Sequence, residues 1–370
     1  MNPAALAVAC FFPLIGRPRL ACPPLPDRVA EIAEIAQAAA RDGADGLAEG
    51  AHALNKAALL ASDCGLTPLA RDLCWQHINI YRAAPRPLTI HQARYMLEPA
   101  LNLARLQIRA SDGEQALGLL TSMFQAVSSN TDLIIDGQVL PLADLTGTRD
   151  ERHKLREWVW LHLVGDGVRA LALAGRWDDA VTHAGTHRGI GLHLLEGRQA
   201  KILAHCLNGM SAKARTTLAE GTPTYPWELQ VASCLEVICA EGAPTVRSVT
   251  TMIGHFLGQR PTPGYAVFRV HLGMAVAALA AATDPDTAAR VLAQAVNEVI
   301  ETKDGYAARD VLRLRPTQVI ELTAAQDEAL ADLLNVSGLR AGTLPEPLLE
   351  SVLSSARTAE AAIVASIHPQ

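Results

Sequence analysis

The sequence predicts an all-α fold, a stack of antiparallel helix pairs carrying one small β-hairpin insertion. Three observations predict it. Hydrophobic residues make up 49% of the 370 and aromatics only 4%, so the apolar content rests on Ala and Leu, which favour helices and pack closely where helices cross. From Arg28 onward apolar residues recur at spacings of three and four, the period of one helix face, and strand-like alternation is almost absent. The connections are short and contain Gly, Asp or Pro, as at Cys64-Gly65, Asp112-Gly113, Gly175-Arg176, Asn208-Gly209, Glu241-Gly242 and Asp284-Pro285, and short connections make successive helices antiparallel.

Taken in order, the periodicity predicts helices over 28–41, 46–63, 66–82, 89–110, 113–128, 151–174, 177–187, 192–208, 211–220, 226–241, 244–258, 264–282, 285–302, 305–314, 323–336 and 345–366. Between the fifth and sixth, Leu133 to Leu142 reads as two short strands around Asp136-Gly137, a strong short-range hairpin signal. A lone hairpin is marginal, so it must pack on its neighbours, either as a plug over the core or as a finger for a partner. Residues 1–27 stand apart. Ala4 to Ile15 are apolar, Arg17 and Arg19 follow, and Cys22 to Pro26 are Pro-rich; no basic residue precedes the run and Arg19 spoils a lipoprotein signal at Leu20-Ala21-Cys22. The expectation is a disordered leader or a start assigned too early, followed by one helical array over 28–370.

A net charge of −6 and a pI near 6.1 give no general attraction for phosphate backbones or anionic membranes, so no direct nucleic-acid partner is expected. The longest clean apolar run, Leu272 to Ala282, is too short for a membrane span, and no membrane insertion is expected. Seven scattered cysteines, Cys10, Cys22, Cys64, Cys74, Cys206, Cys234 and Cys239, make no disulfide framework; most sit in apolar helical patterns as small core residues, which fits a reducing cytoplasm. The preference for Arg over Lys points to a GC-rich genome.

Motifs for chemistry are missing. The sequence contains no phosphate-binding G-x-x-x-x-G-K-S/T loop, no G-x-S-x-G nucleophile elbow and no C-x-x-C pair, and Gly189-Ile190-Gly191 does not complete a dinucleotide fingerprint. His183 and His187 lie four apart on one helix face with His193 nearby, but a zinc site needs a further ligand that the neighbourhood lacks. Trp158 and Trp160 read as core aromatics, and Asp178-Asp179 as acidic residues at a helix N-terminus. No cofactor is expected, and an enzyme with an unrecognised site between helices is the weakest of the readings.

One turn recurs, a Gly followed five residues later by Ala: Gly65 with Ala70, Gly175 with Ala180, Gly209 with Ala214. The fullest copy is Ala174-Gly175-Arg176-Trp177-Asp178-Asp179-Ala180, and Gly175 to Gly209 is 34 residues and Gly209 to Gly242 is 33. This resembles the inter-helix turn of tetratricopeptide repeats, whose period is about 34. The resemblance is best over 160–258 and weaker at 46–128 and 264–302. It implies a right-handed α-solenoid with a concave face lined by the first helix of each pair. In that register the groove-facing positions fall on His52, Asn55 and Lys56, on His162 and Arg169, on Glu196 and Gln199, and on Asn102 and Arg105. These polar side chains are expected to hydrogen-bond a protein or peptide partner. The expected function is a cytoplasmic, bacterial protein- or peptide-binding scaffold; a sensory or accessory part in a regulatory or peptide-maturation system is the alternative, and a homodimer is left open.

Overall fold

The computed structural model describes residues 2–42, 46–314 and 322–367. Among them, in chain order, are α1 (Pro3–Val8), followed by a 3-10 turn at Ala9–Phe11, α2 (Leu25–Asp42), α3 (Leu47–Asp63), α4 (Thr67–Arg82), α5 (Ile90–Arg109), α6 (Gly113–Ser129), strands β1 (Leu133–Ile135) and β2 (Gln138–Leu140), and α7 (Arg149–Leu173). Then come α8 (Trp177–Thr186), α9 (Glu196–Leu207), α10 (Ser211–Ala219), α11 (Pro226–Ile238), α12 (Val246–Leu257), α13 (Ala266–Ala280), α14 (Pro285–Thr302), α15 (Gly305–Leu314), α16 (Ala324–Val336) and α17 (Glu346–Ile367). Every helix expected from the periodicity is present. Among the described residues no helix is long and apolar enough to cross a membrane.

Neighbouring helices pack in pairs, and the recurring turn shows why. Gly65, Gly175, Gly209 and Gly242 all have φ between +72° and +83°, a conformation that side-chain-bearing residues adopt only under strain. At three of these turns the residue after the Gly donates to a carbonyl five residues back, Leu66 to Ala61, Arg176 to Leu171 and Met210 to His205, closing the helix end in a Schellman-type cap. The Ala five residues after each of these three glycines, Ala70, Ala180 and Ala214, is fully buried. At the Asp112-Gly113 turn the positive φ belongs to Ser111, and Asp112 N–H donates back to Gln107.

The chain divides into two compact units, one of residues 1–23 with 171–337 and the other of 24–170 with 338–370, the division falling near the end of α7. In the second unit, α2 to α6 follow one another, while the last helix, α17, packs against α2, α3 and α4. A contiguous core runs from Ile32, Leu54 and Ile78 through Met96 and Leu101 to Val352 and Ile363. The hairpin caps this core. Leu133 pairs with Leu140 and Ile134 with Val139 across Asp136-Gly137, both of positive φ, as a two-residue hairpin turn requires. Leu133, Ile135 and Leu140 point inward and are buried, whereas Ile134 and Val139 face outward.

The first unit runs in sequential pairs from α8 to α16, and here the structure adds to the sequence reading at one place and departs from it at another. Residues 2–23, set apart in the sequence, pack within this unit. Asn2 caps α1 and donates to Ile238 O at 2.7 Å, and Ala5, Val8, Phe11 and Leu14 are buried against the unit, α1 packing on α9 and α13. The apolar run was legible as such; what it packs on lies some 200 residues away and leaves no local signal. The helix expected from 192 begins at Glu196 instead, because Glu228, fully buried, accepts from Leu194 N–H at 2.8 Å and from Thr224 and Tyr225 N–H, pinning 192–195 as a loop.

Candidate cleft between helices α5 and α7

The residues expected to face a groove fall into two groups. In the second unit α3, α5 and α7 bring Asn55, Asn102, Arg105 and His162 into one hydrogen-bonded chain. Asn102 donates to Asn55 Oδ1 at 3.3 Å, and Arg105 donates to Asn102 Oδ1 at 3.2 Å and, through Nε and Nη2, to Asp166 Oδ2 at 3.2 and 3.0 Å. Arg105 also lies 3.2 Å from His162 Nδ1, which sits 3.6 Å from the same Asp166 oxygen. Burial alone raises the Asp166 pKa, but the hydrogen bond from His162 and the charges of Arg105 and Arg169 outweigh it, so the carboxyl is held below its ordinary range. Arg169 thus acts on the same network from one turn further along α7.

The remaining predicted residues do not join them. Lys56 reaches back to Glu31 on α2 at 2.6 Å, and His52 is exposed. Gln199 belongs to the other unit and faces inward. It is fully buried, accepts from Leu14 N–H, and donates to Leu14 O and Leu194 O, all within 2.6–2.7 Å, so it clamps the N-terminal segment inside the fold. Glu196 likewise serves that segment, pairing with Arg17 at 3.1 Å.

Beside the Arg105 network a cavity of about 460 Å³ opens between α5 and α7, lined by His91, Arg94, Tyr95, Glu98, Leu101 and Arg105 on one side and Trp158 and His162 on the other. The α5 positions recur at three and four and form one face of the helix, which is why a single turn-to-turn stripe supplies most of the wall. Trp158 is half-buried and packs against the core with one part of its ring; it lies edge-on to His162 at 4.8 Å between ring centroids and also lines the cavity. Beneath, Tyr81 is fully buried, its hydroxyl finds no protein partner, and burial together with Tyr95 and Glu98 raises its pKa. Next to it His77, also without a partner, is pulled down to about 3 by burial and stays neutral. Sequence reasoning passed over Arg94, Tyr95, Glu98 and Asp166; the available signals were the stripe that Arg94, Tyr95 and Glu98 share with Asn102 and Arg105 on α5, and the spacing of four between His162 and Asp166 on α7.

Elsewhere the polar groups serve the fold. Among the described residues no three His, Cys, Asp or Glu gather as a metal would require; His183 and His187 meet edge to face at 4.8 Å between ring centroids, and His193 approaches Glu228. Cys206 and Cys239 face each other as buried thiols at 3.6 Å; all seven cysteines are outside disulfides, and Cys10 alone is exposed. No known protein family, curated protein or solved structure matches this chain.

Proposed function

We propose that this chain is a binding protein whose α5/α7 cleft receives a segment of a peptide or protein partner. The observation that carries the reading is the convergence of polar side chains from three helices beside one cavity that mixes charged, imidazole and aromatic groups. Recognition sites commonly join an apolar wall to a few fixed polar groups. Tyr95 and Trp158 supply wall at little entropic cost, and the Asp166-anchored Arg105 and His162 are held in place before any ligand arrives. The capped, recurring turns support the finer reading of tetratricopeptide-like helix pairs, a scaffold in which pair-lining helices offer a binding face. No residue of the cavity wall is a Ser, Thr or Cys poised beside a base, so binding accounts for the arrangement more simply than catalysis does.

Affinity capture from the native host, followed by mass spectrometry, tests this reading. Wild-type chain is compared with Tyr95→Ala/Trp158→Ala, and with Arg290→Glu as a charge change in the other unit. Partners retained by wild type and by Arg290→Glu but lost with the cleft variant are the expected result. The same partners on all three baits would rule out the cleft as the binding site.

A further inference from the structure

Arg94 is the unusual member of the cleft. Its Nε is buried and has no protein acceptor, and the side chain makes no ion pair with any described residue. Glu98 lies four residues on, lines the same cavity and is equally without an ion-pair partner, although i and i+4 residues on a helix are neighbours. The order explains part of this, since an acid N-terminal to a base pairs better across a turn than the reverse. The fold therefore presents an unspent cation and an unspent anion side by side at one cavity, each half-buried, with Tyr95, Leu101 and Trp158 as the apolar remainder of the wall.

We propose that the cavity binds a short peptide with both ends free, its carboxylate at Arg94, its ammonium at Glu98 and an apolar side chain against Trp158 and Tyr95. This deepens the peptide-binding reading above and rests on it. Charge complementarity selects the class: a simple anion would leave Glu98 facing it, and a simple cation would leave Arg94. Size agrees, because a cavity of about 460 Å³ lies in the range of small-molecule sites. The charge spacing agrees as well. Side chains one turn apart have Cβ atoms roughly 5–6 Å apart and can splay, while two extended residues span about 7 Å. Arg105 is not the carboxylate's partner, since Asp166, Asn102 and His162 already occupy it.

Titration calorimetry on the full chain with the dipeptide Ala-Phe, its N-acetylated form and its C-terminal amide tests the assignment. Ala-Phe is expected to bind, and blocking either end to weaken binding about tenfold or more, the equivalent of about 1.4 kcal/mol. Arg94→Gln should remove the penalty for amidation and leave the penalty for acetylation, and Glu98→Gln the converse. Free phenylalanine, too short to reach both groups, should bind more weakly than Ala-Phe. Thermal unfolding of both variants checks that they are folded, and neither is expected to lower the Tm because neither side chain is paired. Absence of Ala-Phe binding at millimolar concentration, equal affinity for all three forms, or penalties unchanged in the variants would overturn the proposal. Should that happen while captured partners still depend on Tyr95 and Trp158, the cleft remains a binding site for a longer segment and only the free-ended peptide is wrong.

Discussion

Arg269, in the first unit, and Arg94, in the second, are arginines on long helices next to aromatic rings, and they have opposite fates. Arg269 donates to both oxygens of Glu298 at 2.8 and 3.0 Å and to Phe256 O at 2.8 Å, and its guanidinium lies 3.8 Å from the centre of the Phe256 ring. Gln294 adds a donor to the same carboxylate, so charge and hydrogen-bonding capacity are met within the fold. Arg94 has none of this. Arg105 lies between, largely engaged by Asp166, Asn102 and His162 but 39% exposed at the edge of the cavity. The difference separates two uses of one residue type: polar groups closed on each other fix helix packing, and polar groups left open beside a cavity are available for recognition.

The sharpest way to break this comparison is to remove the partner of the closed arginine. Glu298→Ala leaves Arg269 buried and unpaired and is expected to cost about 3–5 kcal/mol of unfolding free energy, the usual penalty for stranding one member of a buried ion pair. Arg94→Gln, measured in the same denaturant series, should lie within about 0.5 kcal/mol of wild type, as expected for a change that breaks no pairing. Equal losses would mean that Arg94 is structural after all. Gln199→Ala comes next. It strands the buried N–H and C=O of Leu14 and is expected to cost about 1–3 kcal/mol while leaving binding at the cleft untouched. Limited proteolysis should then cut first within residues 2–23.

These fates differ in how visible they are in the sequence. Helices, hairpin and recurring turn follow from local rules, a period of 3.6, a Gly at positive φ and an Asp-Gly pair, and all were legible. Part of the network was legible: Asn55, Asn102, Arg105, His162 and Arg169 come together because a helical register carries a face from one turn to the next. Gln199 and Glu196 met the same rule and failed it, because the segment that covers them, Leu14 to Arg17, comes from the far end of the chain. Residues 2–23 and α17 show the same cause at larger scale. The first packs on α9 and α13 and the second on α2 to α4, pairings of long sequence separation that no periodicity encodes.

A smaller effect probes the half-open network. Asp166→Asn should cost about 1 kcal/mol near neutral pH, a modest figure because Arg105 is more than a third exposed and its ion pair is screened by solvent. The pH dependence carries the sign. The folded Asp166 carboxyl is held below its ordinary range, so its contribution is full above the unfolded pKa of about 3.9 and is lost as pH falls toward the folded value. The stability difference between wild type and Asp166→Asn is therefore expected to stay level from about pH 7 to about pH 5 and to close below about pH 4. A gap that persists in acid would assign the loss to altered packing rather than to the charge.

The hairpin gives the finest test. Its inner residues, Leu133, Ile135 and Leu140, are buried on the core of the second unit, and its outer pair, Ile134 and Val139, is 67% and 48% exposed. If the hairpin is a plug over the core, Leu140→Ala should destabilise by about 2–3 kcal/mol, the lower part of the range for large-to-small core changes. Ile134→Thr keeps strand propensity on the solvent face and should shift stability by less than about 0.5 kcal/mol. The two substitutions also separate the plug from a finger that touches partners, because only a finger makes the outer pair matter. Unchanged stability combined with loss of captured partners in Ile134→Thr would move the recognition surface from the α5/α7 cleft onto the hairpin. Retention of those partners leaves Ile134 and Val139 as a solvent-facing cross-strand pair and the cleft as the part of this unit whose polar groups remain open.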